Sequence, residues 1–591
     1  MRSCALVGRD GSIDWACFPR FDSPSVFAAI LDDARGGRFQ VAPTSDYQST
    51  QRYLPSTNVL ETSFSTSTGS AALVDFMPPA RASEGHEAQH ELHRLVRGTH
   101  GTVELHLRFQ PRFGYAQDRV TFIPARHGVV AKGSAGSMAL VSAAPLHINE
   151  GDAATATFTI QEGQALHFVA VYGLGRTPSV RSLDSEAKLA RTVRFWEATA
   201  AKVKYDGLWS EQVMRSVLLL HLLTYHPTGA IVAAPTTSLP ERLGANRNWD
   251  YRYCWLRDGA WTVGILSRMG DPHEAEAFME WMVDTCQLSV DHMQVLYGIT
   301  PGSELREITL DHLEGYEASR PVRIGNDAAF HRQIDVFGEV VLSMAAFHQY
   351  HGHLPRDGWP LVRRMAGLAA QMWRLPDRGI WEVRGQEQHF VYSKIMCWVA
   401  LDRAAHLAET YGYDGPIEWW REQAVTLHEE VLRKGWSEAK QAFVQRYGAD
   451  AIDASALLIP FVGFLPPDDP RVRSTVLRVA QELSDGPFVR RYLPHETDDG
   501  LGSEEGAFFI LSFWLIGALL FIGEREEALS RFDQVMAHTN HLGLMAEMID
   551  PKTHRALGNF PQAFSHIGLI HTARNLSQAL ASDRAEQELL G

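Results

Sequence analysis

Cysteine is scarce in this chain: Cys4, Cys17, Cys254, Cys286 and Cys397, an odd number with no CxxC pair. That usage excludes a disulfide-stapled secreted scaffold and a zinc ribbon, and it predicts a reducing, cytoplasmic setting. Basic runs are missing too. With a formal net charge of -15 the chain offers phosphates no Lys/Arg-rich footprint, so nucleic acid is not an expected partner. Nor is there an apolar run of membrane-spanning length. The most apolar stretch, Ala507 to Ile522, falls short of the roughly 20 residues that cross a hydrocarbon core, and Glu504, Glu505 and Glu524 flank it. At the start, MRSCALVGRDGSIDW is interrupted by Arg9, Asp10 and Asp14 before a signal-peptide apolar core can form. Neither a bilayer nor secretion is expected. Histidine pairs such as His538 and His541 lack a third ligand at metal-binding spacing, so no metal and no cofactor is expected.

What is present is apolar material, 45% of 591 residues, enough for large cores and more than one domain. Residues 1–172 read as an antiparallel β-sandwich: short runs alternate apolar and polar residues between Gly, Ser, Pro and Asp turns. In VELHLRFQ, Val103, Leu105, Leu107 and Phe109 share one face. Residues 173–208 read as a loop and a linking helix. From 209 to 591, apolar runs of helix length alternate with Gly/Pro/Asp loops, near 209–226, 259–269, 272–287, 333–351, 359–374, 392–412, 417–433, 453–461, 470–484, 507–522, 524–538 and 562–580. Twelve such helices predict an (α/α)6 barrel, with the all-round apolar 507–522 in its inner ring and the amphipathic helix that follows in its outer ring. An armadillo-like array is the alternative, and it lacks a visible sequence repeat.

Three stretches carry candidate chemistry. RNWDYRYCWLRDGAW, Arg247 to Trp261, packs three tryptophans, two tyrosines, three arginines and two aspartates together. Aromatic faces beside bidentate charged groups suit pyranose rings and their hydroxyls. A solvated loop with structural salt bridges is the plainer reading. In RGIWEVRG, Glu382 follows Trp381, and a carboxyl beside an indole is one that desolvation can keep protonated, as a general acid requires. In SEEGAFF, Glu505 precedes a buried helix whose free N–H groups would favour an ionised carboxylate, as a general base requires. Alone, each of these two is more simply a solvated or helix-starting acid.

The segments CALVGRDGSIDWACFPRFDSPSVFAAILD, TTSLPE, RNWDYRYCWLRD, SRPVRIGN, IWEVRG with FVYSKIMCWVALDRA, EGAFFILSFW and GNFPQAFSHIGLI, in this order, closely resemble bacterial members of glycoside hydrolase family 15. The resemblance runs over nearly the whole chain. Family members usually carry a few more residues before CALVGRDGSIDW, so the start looks trimmed or differently assigned. The resemblance implies a β-sandwich, a helical linker and an (α/α)6 barrel, and inverting hydrolysis of α-linked glucosides without a cofactor. Glu382 resembles the general acid and Glu505 the general base, with Glu504 as the neighbour open to confusion with it. Arg257 and Asp258 resemble the pair gripping the terminal glucose, with Trp255 in its wall; Trp249, Asp250, Arg323 and Trp381 complete the expected sugar contacts. The two carboxyls should stand roughly 6.5–9.5 Å apart, leaving room for the attacking water. The expected substrate is a short α-gluco-oligosaccharide cleaved from its non-reducing end, glucoamylase-like, with α,α-trehalose as the alternative. A noncatalytic sugar-binding protein would need no carboxylate pair, and a phosphorolytic enzyme on a similar barrel would depend on phosphate. The oligomeric state is left open.

Overall fold

The computed structural model describes residues 1–80, 90–149, 152–173, 184–269, 272–288, 293–502 and 504–590, the last without side chains beyond 581. The predicted loop following Tyr172 lies, from 174 to 183, outside the described residues.

The β-rich part contains strands β1 (Ala5–Val7), β2 (Ser12–Cys17), β3 (Ser25–Phe27), β4 (Phe39–Pro43), β5 (Tyr47–Tyr53), β6 (Leu60–Thr66), β7 (Gly69–Phe76), β8 (His90–Phe109), β9 (Thr121–Ala125), β10 (Gly128–Lys132), β11 (Ser137–Ser142), β12 (His147–Asn149), β13 (Ala153–Gln161) and β14 (Ala165–Tyr172). The 20-residue β8 belongs to both layers. Its first half pairs with β7 and β14, and the order continues to β11, β10 and β9; its second half pairs with β4 and β13. Every described pairing is antiparallel. Val103, Leu105, Leu107 and Phe109 all point into the sandwich core, so the period-2 pattern of that stretch reports its buried face. A single irregular turn, α1 (Phe113–Ala116), and the linking helix α2 (Ser185–Ala200), capped by the Asp184 side chain on Ala187 N, complete this part.

The helical part is a ring of helices within a ring. The inner ring runs α4 (Gly259–Met269), α6 (Val336–His351), α8 (Val391–Tyr411), a 3₁₀ segment (Ala454–Leu458), α11 (Phe509–Phe521) and α13 (Ala563–Leu590), with α13 packing back onto α4. Outside it lie α3 (Ser210–Leu223), α5 (Pro272–Leu288), α7 (Gly358–Met372), α9 (Ile417–Lys434), α10 (Pro470–Leu483) and α12 (Arg525–Met536). Phe509 to Leu519 of α11 are buried on every side, because that helix touches α13, α12 and α10. Its apolarity is that of an inner stave, and no helix among the described residues is long and apolar enough to cross a membrane. The helix predicted near 453–461 is instead a short 3₁₀ turn. Ile459 keeps αR geometry, but Pro460 after it has no N–H to donate, so the hydrogen-bond ladder loses a rung there.

The sandwich is bolted to the barrel beneath the loops between helices. Trp15 Nε1 donates to Pro235 O at 2.7 Å, and His312 Nε2 lies 2.7 Å from Tyr115 O. The central bolt is ionic: Arg252 and Asp250, both buried, form a two-pronged pair at 2.8 and 2.6 Å. Arg252 also donates to Ser23 O, and Asp250 accepts from Gly325 N. Removing one partner of such a pair costs about 3–5 kcal/mol, while replacing both by apolar groups is close to neutral. Asp250→Ala should therefore lower the urea midpoint markedly, and the double change Asp250→Leu with Arg252→Met should recover most of that loss in the same titration.

Candidate active site

The inner helices begin at one mouth of the ring. Asp258 immediately precedes α4, Asp335 caps α6 by accepting from Val336 N at 3.0 Å, Phe508 precedes α11 and Gln562 precedes α13. Unpaired N–H groups and helix dipoles thus converge where the long connecting loops meet. A cleft opens there in two adjoining lobes. The inner one is walled by Trp255, Arg257, Asp258, Gln562, Phe564 and Glu547; the outer by Glu241, Trp249, Asn326, Ala328, Arg384 and Leu501. Tyr251, Trp381, Glu382 and Arg491 face both lobes and mark their junction.

Glu382 sits on the loop before α8 with φ +57, a conformation that a non-glycine residue adopts only under constraint from its surroundings. Its Oε1 accepts from Trp255 Nε1 at 2.8 Å, with Arg257 at 3.4 Å. The expected indole partner was the adjacent Trp381, but that ring donates to the Asp453 carboxylate at 3.0 and 2.9 Å. Arg257 is held in turn by Ile380 O at 2.9 Å and by Asp258 at 3.3 Å. Burial pushes the Asp258 carboxyl up to about 6 against the pull of Arg257.

Across the inner lobe lies Glu547, which sequence reasoning missed. It is buried, accepts from Tyr251 OH on Oε1 at 2.5 Å, and keeps Oε2 without a hydrogen-bond partner. Tyr251 meets Trp255 edge to face with ring centroids 5.2 Å apart, so two aromatic side chains tether the two carboxyls to one another. Gly558, at φ +71, makes room for this carboxyl: a Cβ there would lie 2.5 Å from Glu547 Oε2. Burial, then the charge of Glu241, holds the Glu547 carboxyl well above the ordinary range, and burial also pushes Glu241 up to about 7. A signal existed in LMAEMID, an acid inside an otherwise apolar run just ahead of GNFPQAF. Glu241, Arg384 and Arg491 stand in loops whose composition does not set them apart.

The expected base, Glu505, is placed elsewhere. It faces neither lobe, its side chain is 1% exposed, and Arg491 grips both its oxygens while Arg247 approaches at 3.3 Å. It lies ahead of α11, beyond the first turn, so guanidinium charge rather than a helix end satisfies it. Its neighbour Glu504 is largely exposed and pairs with Arg242 at 2.9 Å. Two expected sugar contacts are also structural. Asp250 is the interdomain bolt, and Arg323 lies behind the cleft, paired with Glu307 at 3.0 Å and stacked 4.6 Å from the Trp249 ring centre. Arg384 covers Trp249 at 4.5 Å, which fixes the indole in the outer wall. Trp249, Trp255, Arg257, Asp258, Trp381 and Glu382 are brought together around the cleft. Among the described residues no cluster of His, Cys, Asp or Glu is arranged to hold a metal.

Comparison with known proteins bears on the kind of chemistry. Residues 209–574 match the model of glycosyl hydrolases family 15, and residues 1–196 match the one described as trehalase-like, N-terminal. A trehalase of Mycobacterium tuberculosis is 40% identical over 97% of this chain and 88% of its own, and one of Thermoplasma volcanium is 37% identical over 98% and 92%. A bacterial glucoamylase solved with acarbose shares the fold, with a TM-score of 0.72 over 96% of this chain and 91% of its own at 14% identity. A family match spanning the whole barrel, joined to end-to-end relatives of this similarity, establishes that the chain belongs to glycoside hydrolase family 15.

Proposed function

We propose that the chain hydrolyses α,α-trehalose with inversion, Glu382 acting as general acid and Glu547 as general base. The observation that carries this reading is the placement of two carboxyls. Glu382 faces both lobes, at the junction where a glycosidic oxygen lies, whereas Glu547 faces the inner lobe alone. An acid at the bond and a base beyond the ring is the arrangement an inverting hydrolase needs, with carboxyls roughly 6.5–9.5 Å apart to admit water. Glu382 gives its proton to the bridging oxygen as the C1–O bond breaks. Glu547 takes a proton from the water whose oxygen bonds C1 from the opposite face.

Two adjoining lobes that meet at Glu382 suit a disaccharide. Relatives named trehalase align along nearly the full chain, and this favours trehalose over the glucoamylase-like substrate that the sequence alone put first. Arg257 and Asp258 would hold the inner glucose, and Trp249 and Arg384 the outer one. Arg491, paired with Glu505 and near Glu241 at 3.4 Å, offsets the carboxylates crowded behind the cleft.

Among trehalose, maltose and isomaltose, trehalose should give the highest kcat/KM; a preference for maltose would return the reading to a glucoamylase-like enzyme. Early proton NMR should record β- and α-glucose in equal amounts, because the attacked glucose inverts while the departing one keeps its own C1–O bond. Two α-glucoses would exclude inversion. Glu382→Gln and Glu547→Gln should each cut kcat by about 10²–10⁴, the acid variant being partly spared on α-glucosyl fluoride, whose leaving group needs little protonation. A base must be ionised, so a carboxyl held up by burial and Glu241 loses activity as pH falls from a higher point than an ordinary glutamate near 4.3. The acid limb of kcat/KM should accordingly lie above that value, and Glu241→Gln should move it to lower pH.

A further inference from the structure

The inner helices that start at the cleft end around a second cavity, at the other mouth of the ring, with about 1200 Å³ of open space. Its rim is formed by the last turn of α4, which carries Arg268, the end of α6, which carries Tyr350, and the middle of α13, which carries Arg574. Trp261 stands in its wall, and Glu339, hydrogen-bonded by Tyr392 OH at 2.7 Å, is reached at its inner end. None of these residues faces the catalytic cleft.

Two properties of this cavity are not explained by packing. First, Arg268 and Arg574 are close enough to repel one another, yet among the described residues neither is paired with a carboxylate. Arg268 is instead laid over the Tyr350 ring at 4.8 Å, which holds its fork in place at low entropic cost. Two guanidiniums facing one cavity without an acid between them leave an electrostatic opening for an anion. The neighbouring His571 does not supply counter-charge. Its ring is packed edge-on against Trp261 with centroids 4.6 Å apart, and burial followed by the two arginines holds it neutral, down to about 3. Second, the lining is mixed: beside apolar side chains such as Leu342, Phe461 and Phe521 stand the rings of Trp261 and Tyr350, the amides of Gln349 and Asn575, and the carboxyl of Glu339. Burial, then Asp335, holds that carboxyl well above the usual range. Apolar ring faces beside amide and carboxyl groups suit a hydroxylated ring.

We propose that this second cavity binds an anionic monosaccharide, a hydroxylated ring bearing a phosphate or carboxylate, with the anion on Arg268 and Arg574 and the ring against Trp261 and Tyr350. The site shares no lining residue with the cleft, and its test reads binding rather than turnover, so it stands or falls independently of the trehalose reading. Calorimetric titration of the full chain with glucose 6-phosphate and with glucuronate, in the presence of saturating glucose to occupy the cleft, should detect binding of at least one of them. The paired change Arg268→Gln with Arg574→Gln should weaken that binding by about tenfold or more, and leave trehalose kcat/KM measured without the anion unaltered. Arg268→Lys with Arg574→Lys should restore part of the affinity and serves if the glutamine variant fails to fold. Which of the two ligands binds distinguishes phosphate from carboxylate as the preferred anion. The proposal is overturned if neither binds at about 10 mM, if binding is indifferent to both arginine changes, or if inorganic phosphate alone binds as tightly as the sugar ester.

Discussion

The cleft depends on one buried guanidinium. Arg491 is shared between Glu505, which it grips through both oxygens, and Glu241 at 3.4 Å, and it also faces both lobes. Glu241, Glu505 and Glu547 crowd the same low-dielectric region, where like charges repel strongly and an unpaired carboxylate is costly. Arg491, with Arg247 behind it tied to Asp499, neutralises most of that charge. The compensation is incomplete at Glu547, whose Oε2 has no partner. Glu505 is held through both oxygens, whereas Glu547 keeps one available, as the proposed base requires. That contrast separates the two glutamates more clearly than their sequence surroundings do.

The ring architecture explains why the acids gather at one mouth. Closing the inner circuit from α4 through α6, α8 and α11 to α13 directs several helix N-termini to the same place, and their free N–H groups favour negative charge. The loops leading into those helices are then drawn together although they lie hundreds of residues apart in the chain. The sandwich below, joined through Trp15 and the Asp250–Arg252 pair, braces the loop that carries Trp249, Tyr251 and Trp255. A fold that supports the site from beneath in this way lets the aromatic groups be placed by rigid neighbours rather than by the loop's own preferences.

Much of the architecture was legible in the sequence because periodicity reports burial directly. Val103 to Phe109 alternate because one side of β8 faces a core, and Phe509 to Phe521 are apolar throughout because α11 has no solvent side. The 3₁₀ turn at Ala454–Leu458 escaped because apolar content does not distinguish a helix from a short buried turn. Within the cleft, Trp255, Arg257 and Asp258 stood out through dense aromatic and charged composition, and Glu382 through the family resemblance of IWEVRG. Asp250 and Arg252 shared that composition while serving as a bolt between domains, since a bidentate pair looks the same in sequence whether it meets a sugar or itself. The different placements of Glu505 and Glu547 were hidden for a related reason: nothing local in SEEGAFF reveals that Arg491 and Arg247 arrive from other loops, and nothing in LMAEMID reveals the space kept open by Gly558.

The aromatic tether between the two carboxyls divides their oxygens. Trp255 occupies Oε1 of Glu382 and Tyr251 occupies Oε1 of Glu547, so each residue keeps one oxygen anchored and one at liberty. Both anchors belong to a single short segment, so a displacement of that segment moves both carboxyls in concert. An aspartate at either position, one methylene shorter, would be forced to choose between holding its anchor and reaching the sugar, and this makes side-chain length, as much as acidity, the property on which the pair is built.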